Sequence, residues 1–199
     1  MTGTGTAKRA RGNEETRIVT PRLVLRPWRA ADAEAALTVY GTDDVTRWLA
    51  PEMTRQTDAE SMRELLRSWE RESDALERPA GRWAIELRET GELVGGAAVL
   101  PLPPHGVDLE IGLQLAQTFW GMGLAAEAGN GLARYAFASG VDELFAVVRP
   151  HNERGAATAR GVGMEWVGET EKYYGMRLQV YRLRKGEFEA SAASGPAAS

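Results

Sequence analysis

Six residues, Trp120-Gly121-Met122-Gly123-Leu124-Ala125, separate a strand-like run from a helix-like run. Before them, residues 109–115 (LEIGLQL) alternate and are rich in strand formers; after them, residues 126–139 are rich in Ala and Leu and contain no proline. A strand that ends in a glycine turn and opens a helix gathers several free backbone N–H groups at one point. The helix macrodipole adds partial positive charge there. Such a point is an anion site, and phosphate is its usual anion. The chain therefore reads first as a binder of a phosphorylated cofactor.

Composition narrows the partners. With 199 residues, 43% hydrophobic and 26% charged, the chain can bury one proper core. Its net charge of −4 supplies no global basic field, which argues against nucleic acid as a partner. A phosphate must then be held by local N–H groups and a few arginines. There is no cysteine, so disulfides, thiolate zinc sites and a cysteine nucleophile are excluded. The two histidines, His105 and His151, cannot build a His-rich metal site by themselves, and no metal is expected. No apolar run approaches the roughly 18 to 20 residues of a membrane span. Residues 1–16 lack an apolar h-region and read as a disordered lead-in, and a cytoplasmic location is expected.

Along the chain, residues 17–188 read as a single domain, and residues 189–199 (EASAASGPAAS) as a second disordered tail. Residues 18–28 read as a first strand, 30–40 as a helix with acidic residues near its start, and 43–49 as a short helical turn. Thr57 and Glu60 have the spacing of a capping box, opening a helix that carries Met62, Leu65, Leu66 and Trp69. Residues 83–87 and 93–100 form a hairpin around Thr90-Gly91. Strand 109–115, helix 122–139, strand 144–148, helix 152–162 and strands 164–167 and 178–183 complete the order. Short turns between the middle strands predict an antiparallel section, and the strand–helix–strand unit after it predicts a parallel join. The class is mixed α/β (α+β).

These residues resemble the GNAT acetyltransferase superfamily, especially its Rim-type branch of ribosomal-protein N-acetyltransferase-like proteins. Residues 20–28 (TPRLVLRPW) resemble that branch's opening strand, and Glu110-Ile111-Gly112 with residues 120–128 resembles its cofactor segment. Trp120 stands at a polar position of the superfamily pattern, while Gly123 and Ala125 fit it. A second motif pairs Asn152 with Gly163; Met164 replaces the usual aromatic and Gly155 the frequent serine. The resemblance implies a mostly antiparallel mixed sheet flanked by helices and splayed beside the cofactor strand. It implies acetyl-CoA as cosubstrate and an amine acceptor, either a protein N-terminus or a small molecule. Trp120, Gly121, Met122, Gly123, Leu124, Ala125 and Ala126 would hold the pyrophosphate. Leu113, Gln114 and Leu115 would run beside the pantetheine arm as a further strand, with Asn152 and Gly155 near the thioester.

Acetyl transfer needs a neutral amine, donors for the developing oxyanion and an acid for the leaving thiolate. Without cysteine, direct transfer in a ternary complex is favoured. Glu110 is the candidate base, or equally a structural carboxylate. The superfamily's tyrosine acid falls at Ala159, so Tyr173 or Tyr174 stands in as the candidate acid, or else packs. Arg149, Arg154 and Arg160 are candidate phosphate ligands or ordinary surface charge, and Trp28, Trp48, Asp43 and Asp44 are weaker acceptor-side candidates. Two other readings of the turn stay open. Gly121-x-Gly123-x-x-Ala126 formally matches a dinucleotide fingerprint, although it lies past the chain's midpoint. The turn can also be bare architecture. A non-catalytic acyl-CoA-binding module is the alternative function. The alternation of Leu178, Val180 and Leu183 serves either the core or a homodimer.

Overall fold

The computed structural model describes residues 16–51 and 53–194. Eight strands form one sheet: β1 (Ile18–Val19), β2 (Leu23–Pro27), β3 (Gly81–Leu87), β4 (Leu93–Pro101), β5 (Leu109–Leu115), β6 (Glu143–Val148), β7 (Glu165–Thr170) and β8 (Leu178–Arg184). Their order is β1-β2-β3-β4-β5-β6-β8-β7. Every neighbour pair is antiparallel except β5 with β6.

That parallel join is incomplete. β4 and β5 stay in register from Gly95↔Leu115 to Pro101↔Leu109, whereas β5 and β6 share the single pair Glu110↔Phe145. Beyond Glu110 the two strands part. Residues 111–115 therefore have a sheet neighbour on one side and a gap on the other.

Helices cover both faces: α1 (Ala33–Tyr40), α2 (Asp43–Thr46), α3 (Ala59–Ala75), α4 (Leu124–Ala138), α5 (Glu153–Val162) and α6 (Lys185–Ser194). On one face Trp83, Ile85, Val99, Leu132 and Leu183 form the main core under α4 and α5. Gly129 lets α4 sit close: a Cβ there would strike Val162 and stand 3.1 Å from Leu113. On the other face Met62, Leu66 and Trp69 of α3 pack with Val39 and Tyr40 of α1 and with Trp28. Their spacing of four and three residues is the apolar stripe of a helix. Tyr40 and Trp69 meet edge to face at 5.2 Å. Each fully buried Leu or Met side chain contributes roughly 1.5–3 kcal/mol.

Several expectations are corrected. Residues 18–28 make two strands, because a turn at Thr20, closed by its N–H donating to the Leu23 carbonyl at 2.9 Å, breaks the run. The cap of α3 is Asp58, not Thr57: Asp58 Oδ1 accepts from the Glu60 and Ser61 N–H groups. Residues 189–194 continue α6, an Ala-rich segment whose Phe188 ring meets Phe137 at 5.4 Å. Thr16 is buried and its carbonyl accepts from Trp83 Nε1 at 3.1 Å, so the lead-in stops short of it; residues 1–15 and 195–199 lie outside the described residues. Leu178, Val180 and Leu183 are within the chain's own core, which removes them as a dimer surface.

Candidate active site

The glycine turn is built as an open anion cradle. Gly121 (φ 77°) and Gly123 (φ 74°) both hold left-handed backbone, which favours glycine. A Cβ on Gly121 would meet nothing within 4 Å, so it would project into free space at the mouth of the turn. Gly123 caps α4 without any side-chain hydrogen bond, whereas α3 and α5 are capped by Asp58 and Asn152. The first-turn N–H groups of a 15-residue helix are thus left for an external acceptor. Arg22 fixes this end of α4. Its Nε donates to Glu127 Oε2 at 2.6 Å and its Nη1 to the Met122 carbonyl at 3.0 Å, while Thr20 donates to Glu127 Oε1 at 2.6 Å.

From this turn a cleft of about 840 Å³ runs along the gap between β5 and β6 and through to the α1–α3 face. Residues 110–115 form one wall and Ala146, Val147 and Val148 the other. Trp120 stands at the turn, its Nε1 donating to the Leu115 carbonyl at 2.9 Å, and the Arg154 guanidinium stacks on its ring at 3.8 Å.

Where the strands part, Glu110 and Tyr174 face each other. The Tyr174 hydroxyl donates to Glu110 Oε2 at 2.9 Å. Glu110 is half-buried and lines the cleft. Burial raises its carboxyl from 4.5 to about 8, against the opposing pull of the Tyr174 hydroxyl, the Val147 N–H and the Arg82 charge. Burial, then the Glu110 charge and hydrogen bond, push the Tyr174 hydroxyl upward, so it keeps its proton. A carboxyl near neutrality touching a proton-holding phenol is a pair suited to moving protons.

The other expected site residues are distributed as follows. Leu113, Gln114, Leu115, Trp120, Gly121, Gly123, Leu124, Ala125, Ala126, Asn152 and Gly155 line the cleft. Leu115 shares its carbonyl with Trp120. Asn152 has a structural task as well: its Oδ1 accepts from the Gly155 N–H at 3.0 Å, and a Cβ at Gly155 would press on its Nδ2 at 2.7 Å. Met122 is exposed and off the cleft lining; only its backbone belongs to the turn. Tyr173 is turned away: it is buried beside Leu102, with its hydroxyl on Asp108 Oδ2 at 2.8 Å, so it has no access to Glu110. Arg149 donates to the Leu49 carbonyl at 2.9 Å, which leaves Arg154 as the cleft-lining arginine beside the second motif. Sequence reasoning passed over Arg22, Tyr40 and Arg82. Tyr40 donates to Gln114 Oε1 at 3.1 Å, across Gly96, where a Cβ would collide with the phenol.

The acetyltransferase (GNAT) domain model matches residues 22–165. The chain belongs to the GNAT acetyltransferase family. β5 sits between an antiparallel and a parallel neighbour in a mostly antiparallel GNAT sheet, which rules out the doubly wound setting a dinucleotide fingerprint needs. Among curated proteins it is 30% identical over 158 residues to the uncharacterized N-acetyltransferase YoaA of Bacillus subtilis, covering 78% of this chain and 86% of that one. It is 28% identical over 168 residues to the uncharacterized N-acetyltransferase p20 of Bacillus licheniformis, covering 82% and 92%. Among solved structures, Mycobacterium smegmatis RimJ in complex with CoA-disulfide shares the fold with a TM-score of 0.69 at 22% identity, covering 90% of this chain and 93% of that one. Rim-type proteins are thus among the structural neighbours of this GNAT chain. No described helix is long and apolar enough to cross a membrane.

Proposed function

We propose that this GNAT domain is a cytoplasmic N-acetyltransferase that moves the acetyl group of acetyl-CoA directly to an amine in a ternary complex. The observation that carries this reading is the Glu110–Tyr174 pair, hydrogen-bonded at 2.9 Å in a cleft that begins at the uncapped N-terminus of α4.

The N–H groups after Gly121 fit the pyrophosphate, and the unpaired edge of β5 around Leu113 fits the pantetheine amides. Bound acetyl-CoA supplies an acetyl thioester. Glu110, in its ionised form, takes a proton from the acceptor ammonium. The freed amine forms the new C–N bond as the C–S bond breaks. Tyr174 gives its hydroxyl proton to the departing sulfur and regains one from Glu110. The acceptor ammonium supplies two protons in all; one ends on the thiol and one in solvent.

Ala159, at the place where some superfamily members use a tyrosine acid, favours a second reading, an acyl-CoA-binding module without catalysis. Following CoA thiol release with a panel of amines, including peptide N-termini, separates the two. Amine-dependent release that falls at least a hundredfold in Glu110→Gln supports the enzyme. Acetyl-CoA binding with no release above the amine-free rate supports the module.

A further inference from the structure

On the sheet face opposite α4, the acceptor side of the cleft contains a cation with an incomplete set of partners. Arg82 lies on β3 with its side chain on the α1–α3 face, over the Trp69 ring at 5.2 Å. A guanidinium has five N–H donors in a fixed fork. Here Nε is buried without a hydrogen-bond partner, and Nη2 reaches Glu72 Oε2 only at 3.4 Å, beyond the 2.7–2.9 Å of a charge-assisted bond. Glu72 itself is 54% exposed.

The same sheet face shows how this protein satisfies an arginine it uses structurally. Arg26 on β2 is held by both oxygens of Asp32, at 2.7 and 2.8 Å, and by Glu86 at 2.8 Å. Arg82 has nothing comparable among the described residues, and it lines the cleft.

The register gives it a clear path to the reaction centre. Arg82 is paired with Ala98, and Ala98 with Gly112. Two successive small residues leave a trough about 10 Å wide across two strand spacings. Gly112 is two residues from Glu110, so the Glu110 side chain leaves β5 on the face where Gly112 has none. Trp28, Trp48 and Trp69 line the same cleft, with Trp69 under the Arg82 guanidinium. Trp48 adds a second orphan donor, its Nε1, buried without a partner. This half of the cleft therefore offers a proton acceptor at one end, an under-paired cation at the other and aromatic residues in its lining.

We propose that the acceptor amine carries a carboxylate, which Arg82 binds while the amine sits at Glu110. This deepens the acetyltransferase reading and rests on it. The shared chemistry, amine plus carboxylate on an apolar frame, arises in a free amino acid or in a peptide with an acidic residue next to its N-terminus.

The test compares matched acceptors: phenylalanine with phenylalaninamide, and Ser-Asp-amide with Ser-Asn-amide. The wild-type enzyme prefers the carboxylate member of at least one pair, by roughly tenfold to a hundredfold in kcat/KM and mainly through KM. The pair that shows the preference identifies the source. Arg82→Gln abolishes the preference, Arg82→Lys keeps part of it, and both keep the wild-type KM for acetyl-CoA and the acetyl-CoA-induced rise in Tm. No preference in either pair, or a preference that survives Arg82→Gln, overturns the proposal. If no pair is acetylated, the acetyltransferase reading is decided separately by CoA release with the wider amine panel. The carboxylate site is then read from Tm with CoA present, where stabilisation by the carboxylate member alone, lost in Arg82→Gln, supports it and equal response overturns it.

Discussion

Replacing Glu110 by glutamine separates its charge from its shape. Glutamine keeps the volume and an oxygen for the Tyr174 hydroxyl, but it cannot ionise. In the folded protein the Glu110 carboxyl titrates at about 8, against 4.5 in the open chain. Between those values the native protein holds a proton that the unfolded chain has released. The stability linked to that proton is fully present below the unfolded value and is lost as pH rises through the folded one. Each unit of displacement is worth about 1.4 kcal/mol, so the whole loss is several kcal/mol. Urea unfolding of both proteins without ligand, at steps from roughly pH 5 to pH 9, reads this directly. The stability of wild type relative to Glu110→Gln should fall by about 1.4 kcal/mol per unit up to about pH 8 and then level off. For a domain of this size, 1 kcal/mol moves Tm by roughly 2–4 °C, so the trend is well above error. A difference between the two proteins that stays flat across this range would refute the raised carboxyl and, with it, the proton-transfer role built on burial.

Other outcomes follow from the same geometry. In the proposed mechanism Glu110 acts in its ionised form, so amine-dependent kcat/KM should climb with pH and plateau above about 8. Tyr174→Phe should cut kcat by about ten- to a hundredfold with little change in Tm, whereas Tyr173→Phe should leave kcat alone and lower stability through its lost bond to Asp108; equal kinetic effects would contradict the assignment. Gly96→Val should destabilise by roughly 1–3 kcal/mol in urea unfolding, since its side chain displaces the Tyr40 phenol from Gln114; a neutral result would mean that α1 packs more loosely than described.

The parts of this protein legible in its sequence are those set by local chemistry. The glycine turn needs positive φ at Gly121 and Gly123, and no sheet partner decides that. The alternation of β5 and the crossover through α4 are local in the same way, and they place the cleft beside β5. What escaped was decided by distant neighbours. Whether Tyr173 or Tyr174 meets Glu110 turns on a single residue's backbone at the edge of a loop, where Tyr174 takes φ 56°. The Arg82 trough depends on Ala98 and Gly112 falling in register with it across two strands, which no window of sequence displays. The C-terminal segment was misread because small residues suit both a tail and a helix, and only the Phe188–Phe137 contact chooses. Glu60 three residues after Thr57 imitated a capping box, while the adjacent Asp58 took the cap with a stronger acceptor.

In the proposed function the uncapped turn before α4 holds the phosphates of acetyl-CoA. Isothermal titration of acetyl-CoA into wild type and Gly121→Glu tests it most directly, with circular dichroism confirming that both are folded. A glutamate at this position puts strained backbone and a negative charge at the mouth of the cradle, where nothing of the protein's own lies within 4 Å. Wild type should bind saturably, and the variant should lose affinity by at least about a hundredfold. Equal affinity in the two folded proteins, or no binding by wild type, would contradict it.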